Sequence, residues 1–235
     1  MPEHRAHRYE AETGRPTSLE AIARLAQGLG LRIETELVDP RQRRGARQDL
    51  SVDPVHSAMG EFEARHFRAL GVAVGIDEPY QHYQFAGRAD LIAWDLDRRA
   101  LLHIENRTRF PDLQQVAGSY NAKRAYLAAA IGKRLGAGQW ASQTHVIAGL
   151  WSSEVLHVLR LRTETFRALC PDPASAFEAW WAGSPPRTGT ASVLVVLDPF
   201  ARGRRRVVIG LDVATVVRPR LAGYVEAARR LLEAG

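Results

Sequence analysis

The pattern of hydrophobic and polar positions divides the chain into a short amphipathic lead, a polar stretch and a longer run of mixed elements. In TSLEAIARLAQGL (17–29), Leu19, Ile22, Leu25, Ala26 and Leu29 recur at helical spacing. Thr17 with Glu20 three residues on makes a capping box, and Gly30 stops the helix. LRIETELV (31–38) alternates as a strand does. DPRQRRGARQDLSVDP (39–54) holds two prolines, a glycine and Arg41, Arg43, Arg44 and Arg47, and reads as an exposed linker.

A second unit opens with a helix over 55–71, where Val55, Met59, Phe62, His66 and Leu70 form one apolar stripe. Strands are predicted over 72–83, 87–96 and 100–109, the last two joined by a tight connection at 96–99. A long helix from 111 to about 135 packs Leu113, Val116, Tyr120, Leu127 and Ile131. A buried strand (144–151), helices over 153–169 and 173–183, strands over 192–199 and 205–213, and a closing helix over 218–235 complete the pattern. This order predicts an α/β fold, a mixed sheet flanked by helices, preceded by a short helical N-terminal segment. The expected division is 1–38, a linker over 39–54, a main domain over 55–217 and the C-terminal helix.

Composition narrows the class. The chain has 235 residues, 46% hydrophobic and 25% charged, enough for one full domain with a sizeable core. Cys170 is the only cysteine, so no intramolecular disulfide forms and a reducing interior is expected. No apolar run approaches a membrane span, and MPEHRAHRYE lacks a secretory apolar region, which together point to the cytoplasm. Basic residues number 32 against 26 acids, a net charge of +6, and all but Lys123 and Lys133 are arginines. The skew fits a GC-rich genome. The excess charge fits a polyanionic partner, since arginine surfaces gain phosphate contacts and release counterions.

Candidate chemistry centres on Asp90 in GRADLIAWD and Glu105 in LLHIENRTR. Alternation on the third strand puts His103, Glu105, Arg107 and Arg109 on one face and Leu102, Ile104, Asn106 and Thr108 on the other. A carboxylate and a cation two residues apart then project together, and Asp90 on the neighbouring strand can close on the same point. Two converging carboxylates make an oxygen-rich site for Mg²⁺ or Mn²⁺. The blander reading is a strand-end turn for Asp90 and a salt bridge to Arg107 or Arg109 for Glu105.

A helix bearing an acid, a hairpin carrying Asp, a Glu-x-basic strand and a second helix together resemble the PD-(D/E)XK, or restriction-endonuclease-like, nuclease fold over about residues 55–151. The resemblance implies Asp90 and Glu105 as metal ligands and Glu61 as the assisting helix acid, with Glu63 the less preferred choice. The motif lysine is replaced: Glu105-Asn106-Arg107 stands where Glu-x-Lys is expected. Arginine can clamp a phosphate and stabilise charge, but it does not readily act as a base. Lys123 on the following helix, at the border of its apolar stripe, either snorkels or takes the lysine's place. The implied activity is metal-assisted phosphodiester hydrolysis on DNA. The alternative is a DNA-binding regulator on a scaffold that no longer turns over.

HRYEAETGRPTSLEAIARLAQGLGLRIETELV is similar to the end of a phage-repressor-like (Xre-type) helix-turn-helix domain, with only its last portion present. That implies either an upstream start or a remnant, and a bacterial DNA-binding setting. A protein-interaction module in a toxin–antitoxin or mobile-element context rests on the same segment. DNA is the expected partner, and a homodimer is compatible with the sequence. Other residues read as structure: His66, His103, His145 and His157 lack metal-ligand spacing, Cys170 has no base beside it, and Trp180 and Trp181 suit packing. ARGRRR (201–206) reads as a hairpin tip that can also grip phosphates.

Overall fold

The computed structural model describes residue 28 and residues 53–82, 85–201 and 207–234. Apart from Gly28, these belong to the unit Val52–Gly235. The expected N-terminal helix apart from Gly28, the strand after it, most of the linker and residues 202–206 of the arginine-rich tip therefore lie outside the described residues.

Helix α1 (Pro54–Ala69) starts where Asp53 accepts hydrogen bonds from the Val55 and His56 amides, both at 3.0 Å, with Pro54 in the first turn. The helix thus begins one residue earlier than predicted. Strands β1 (Ala73–His82), β2 (Phe85–Asp95) and β3 (Ala100–Arg107) follow as an antiparallel meander. The β2–β3 connection turns on Arg99 at φ 50°, a left-handed residue in the predicted tight turn. Helix α2 (Leu113–Leu135) is capped by Asp112 and ends on Gly136 at φ 66°, a conformation glycine adopts without strain. It crosses to β4 (Ser142–Leu150), which pairs parallel with β3.

Helices α3 (Ser153–Leu161), α4 (Thr163–Leu169) and α5 (Ser175–Trp181) lead to β5 (Gly189–Leu197), parallel to β4. Strand β6 (Val208–Gly210) returns antiparallel, followed by the short α6 (Leu211–Ala214) and α7 (Tyr224–Ala234). The fold is α/β: a six-stranded mixed sheet in the order β1-β2-β3-β4-β5-β6, flanked by helices. No helix among the described residues is long and apolar enough to cross a membrane.

Three predicted elements change. The closing helix expected over 218–235 begins only at Tyr224, because Leu221 forms an isolated bridge with Ser152 before it. The helix expected over 153–169 breaks at Arg162, where the Thr163 hydroxyl donates to the Leu159 and Arg160 carbonyls and so competes with the backbone ladder. Of the strand expected over 205–213, the described residues keep Val208–Gly210. Past it, buried Leu211 and Ala214 lie at helical spacing with exposed Asp212 between them.

Helix α2 covers one face of the sheet, its Leu127, Ala128 and Ile131 packing on Ile92 and Leu101. Helix α1 covers the other, where Leu102 and Ile104 join Met59 and Phe67 in the larger core. Helix α5 shares that face. Trp180, fully buried, donates to Thr144 Oγ1 at 3.2 Å, and Phe67 meets Phe177 and Trp181 edge-on. The tryptophan pair thus packs, as its sequence context suggests. Strand β3 is buried on both faces, so any charged group it carries must be neutralised inside the protein.

Replacing Phe67 by Ala empties the junction of α1, α5 and the sheet, and about 3–5 kcal/mol of unfolding free energy should be lost. Urea denaturation followed by tryptophan fluorescence measures it; a change below about 1 kcal/mol would mean the α1 interface is loosely packed.

Candidate functional site

Sheet and helix geometry bring four of the sequence-selected residues to one place. The β2–β3 ladder ends at Leu91 opposite Ile104. Just beyond it the Asp90 carboxylate accepts the Asn106 amide at 2.8 Å, in place of a further strand partner. Glu105 lies on β3 and is 1% exposed. Its Oε1 accepts from Lys123 Nζ on α2 at 2.5 Å and is 2.8 Å from His103 Nε2, while its Oε2 accepts from Arg107 at 3.0 Å. Arg107 also donates to Asp90 Oδ2 at 3.4 Å and to the Asn106 carbonyl at 2.7 Å. Asp90, Glu105, Arg107 and Lys123 thus form one connected network.

The alternation on β3 is as predicted. His103, Glu105 and Arg107 share the α2 face, and Asn106 turns to α1, where its Nδ2 donates to Glu63 Oε2 at 2.9 Å. Thr108 donates to Asp53 at 3.0 Å, tying the end of β3 to the start of α1. That tie holds His56, one turn into the helix, 3.4 Å from Asp90 Oδ2. Arg109 leaves the cluster and lies over the Tyr224 ring.

The expected helix acid is Glu61, but Glu61 is exposed. The inward line of α1 runs through Val55, Met59, Glu63 and Phe67 at four-residue spacing. At about 100° per residue, Glu61 points some 200° away from Glu63. Glu63 is therefore the acid that α1 presents to the sheet, fully buried. His56, Asn106 and His103 are the residues sequence reasoning passed over. His103 alone carried a signal, its two-residue spacing from Glu105 on one strand face.

The electrostatics follow from burial. Burial opposes ionisation of Glu105, but the His103 hydrogen bond and charge, then the charges of Lys123 and Arg107, outweigh it and hold the carboxyl below the usual range. His56 is raised chiefly by its hydrogen bond to Asp90. His145, 3.2 Å from His103, is pushed down to about 3, first by burial, then by the charges of His103 and Arg124. Its Nε2 has no hydrogen-bond partner among the described residues.

Glu63 behaves in the opposite way to Glu105. Burial raises its pKa to about 8, against the lowering effect of Asn106, and the charge of Asp90 adds to the rise. Glu63 Oε1 and Asn106 Oδ1 both lack partners among the described residues. A proton on Glu63 Oε1 would let it donate to Asn106 Oδ1 while the amide donates to Oε2, satisfying both unpartnered atoms.

Beside the network opens a cleft of about 370 Å³, lined by His56, Arg107, Arg109, Gln115 and Ser119, with Asp112 its one acid. Its walls suit an anion. Among the described residues, no group of three or more His, Cys, Asp or Glu side chains is placed so that it could hold a metal ion. The hard donors are the Asp90 and Glu105 carboxylates and the Asn106 carbonyl, and all three converge on a single cation, the Arg107 guanidinium. Mg²⁺ takes one or two carboxylates and keeps several waters. The donor set therefore fits such an ion once the guanidinium is displaced. No protein-family model and no curated protein matches the sequence.

The protonated Glu63 makes stability pH-dependent. Its folded-state pKa, about 8, lies above the ordinary 4.5, so its contribution is complete below pH 4.5 and is lost as pH rises through about 8. Thermal unfolding between pH 5 and 8.5 should show that decline, and Glu63→Gln, which mimics the protonated acid, should flatten it. An unchanged slope in Glu63→Gln would mean that Glu63 is ionised in the fold.

Proposed function

We propose that this domain is a DNA-acting member of the PD-(D/E)XK, restriction-endonuclease-like class, hydrolysing phosphodiester bonds with Mg²⁺ or Mn²⁺. The observation that carries the reading is the convergence of Asp90 from β2, Glu105 from β3 and Lys123 from α2 at the point where the β2–β3 ladder ends. The Lys123 ammonium at 2.5 Å from Glu105 supports the replacement of the missing motif lysine by one from the next helix.

In this reading Asp90 and Glu105 hold the cation, with the Asn106 carbonyl as a third donor. A divalent ion bound there would supply an activated water and offset charge on the scissile phosphate. Lys123 fixes the Glu105 carboxylate and stands ready to orient water. His56, Arg107 and Arg109 receive the phosphate in the adjoining cleft, and the net charge of +6 favours a polyanionic substrate. Glu61 has no part, and Glu63 serves by fixing Asn106. The helix-turn-helix resemblance falls on residues outside the described ones and remains a proposal about how DNA is delivered.

A second reading, a DNA-binding regulator without turnover, is favoured by one observation: Arg107 spans both carboxylates. Supercoiled plasmid and single-stranded DNA incubated with Mg²⁺ or Mn²⁺ separate the two. Nuclease activity predicts nicking that chelation abolishes and that Asp90→Asn or Glu105→Gln lowers by roughly 10²–10³-fold. Intact DNA, with salt-sensitive binding that survives Asp90→Asn, would favour the regulator.

A further inference from the structure

Arg107 occupies two environments at once. Its guanidinium donates to the Asn106 carbonyl at 2.7 Å, to Glu105 Oε2 at 3.0 Å and to Asp90 Oδ2 at 3.4 Å. The same side chain lines the cleft that holds His56, Arg109, Gln115 and Ser119. Its partners on Glu105 differ from it in kind. Lys123 and His103 are buried and share Oε1, whereas Arg107 is 19% exposed and holds Oε2 alone. Only Arg107 can leave without opening the core.

The charges decide what its departure does. With Arg107 in place beside Lys123, His103 and His56, the two carboxylates are fully matched by positive groups, and a divalent ion gains little on entering. With Arg107 withdrawn, Lys123 and His103 still hold Glu105 Oε1, while Glu105 Oε2 and the Asn106 carbonyl lose their donor and Asp90 Oδ2 keeps only the Asn106 amide and His56. A phosphate in the cleft supplies the pull, because guanidinium binds phosphate in the same forked geometry that it uses for carboxylates.

We propose that Arg107 is a built-in competitor for the divalent cation: its guanidinium fills the seat formed by Asp90, Glu105 and the Asn106 carbonyl until a DNA phosphate in the cleft draws it away. Metal binding is then coupled to nucleic-acid binding, and free protein holds the ion poorly. The proposal rests on the metal-dependent reading above, but it concerns affinity and not turnover.

Mn²⁺ binding to the full chain, followed by electron paramagnetic resonance with and without a cleavage-resistant phosphorothioate DNA duplex, tests it. Wild-type protein should bind Mn²⁺ about tenfold or more tightly with the duplex than without it. Arg107→Met should reach the tighter affinity without DNA, and the duplex should add nothing further. Arg107→Lys, which keeps the charge but cannot span both carboxylates, should fall between them and serves if Arg107→Met does not fold. Equal Mn²⁺ affinity in wild type and both variants, lost on Asp90→Asn, would overturn the competition and leave the metal site standing. No Mn²⁺ binding in any of them would overturn both.

Discussion

A carboxylate that is 1% exposed, on a strand buried on both faces, is the constraint from which the rest of this domain follows. An ion taken out of water at Glu105 costs several kcal/mol unless charge and hydrogen bonds are returned to it. The return comes from His103 and Arg107 on the same strand and from Lys123 on α2. Helix α2 is therefore docked through an ion pair as well as through Leu127 and Ile131. A core built only to be stable would not need this: apolar residues of similar volume often serve as well or better in place of buried ion pairs. The retained charge points to a use.

The two faces of β3 divide the labour. On the α2 side the acid is ionised and surrounded by donors. On the α1 side Glu63 has only an amide for company, and burial keeps its proton on. Asn106 joins the two, since its backbone amide caps Asp90, its carbonyl accepts from Arg107 and its side chain holds Glu63. Any shift of α1 against the sheet would thus be felt at the oxygens of the candidate site. The Asp53–Thr108 bond, which fixes the start of α1 to the end of β3, opposes such a shift.

Much of this arrangement is readable from the sequence. Alternation on β3 places His103, Glu105 and Arg107 together, and the short 96–99 turn obliges Asp90 to lie on the adjoining strand. Lys123 is legible as a border residue of α2, though periodicity cannot say that its ammonium finds Glu105. Glu61 is preferred over Glu63 by resemblance, and the stripe through Val55, Met59, Phe62, His66 and Leu70 does not correct it, because the inward line of α1 includes Gly60 and an acid. Nothing local marks His56 or Asn106, whose roles come from contacts across 34 and 16 positions of chain. The break at Arg162 and the short β6 depend on a hydroxyl back-bond and on the packing of Leu211, which hydropathy alone does not encode.

The central claim is that Asp90, Glu105 and the Asn106 carbonyl form a seat for one cation, filled by Arg107 or by a divalent ion and never by both. Anomalous diffraction from crystals grown with Mn²⁺ and a short DNA duplex tests it most directly. The account predicts an anomalous peak bridging the two carboxylates, with the Arg107 guanidinium moved into the cleft against a phosphate. Arg107 still spanning Asp90 and Glu105 with DNA bound and no peak between them would contradict it.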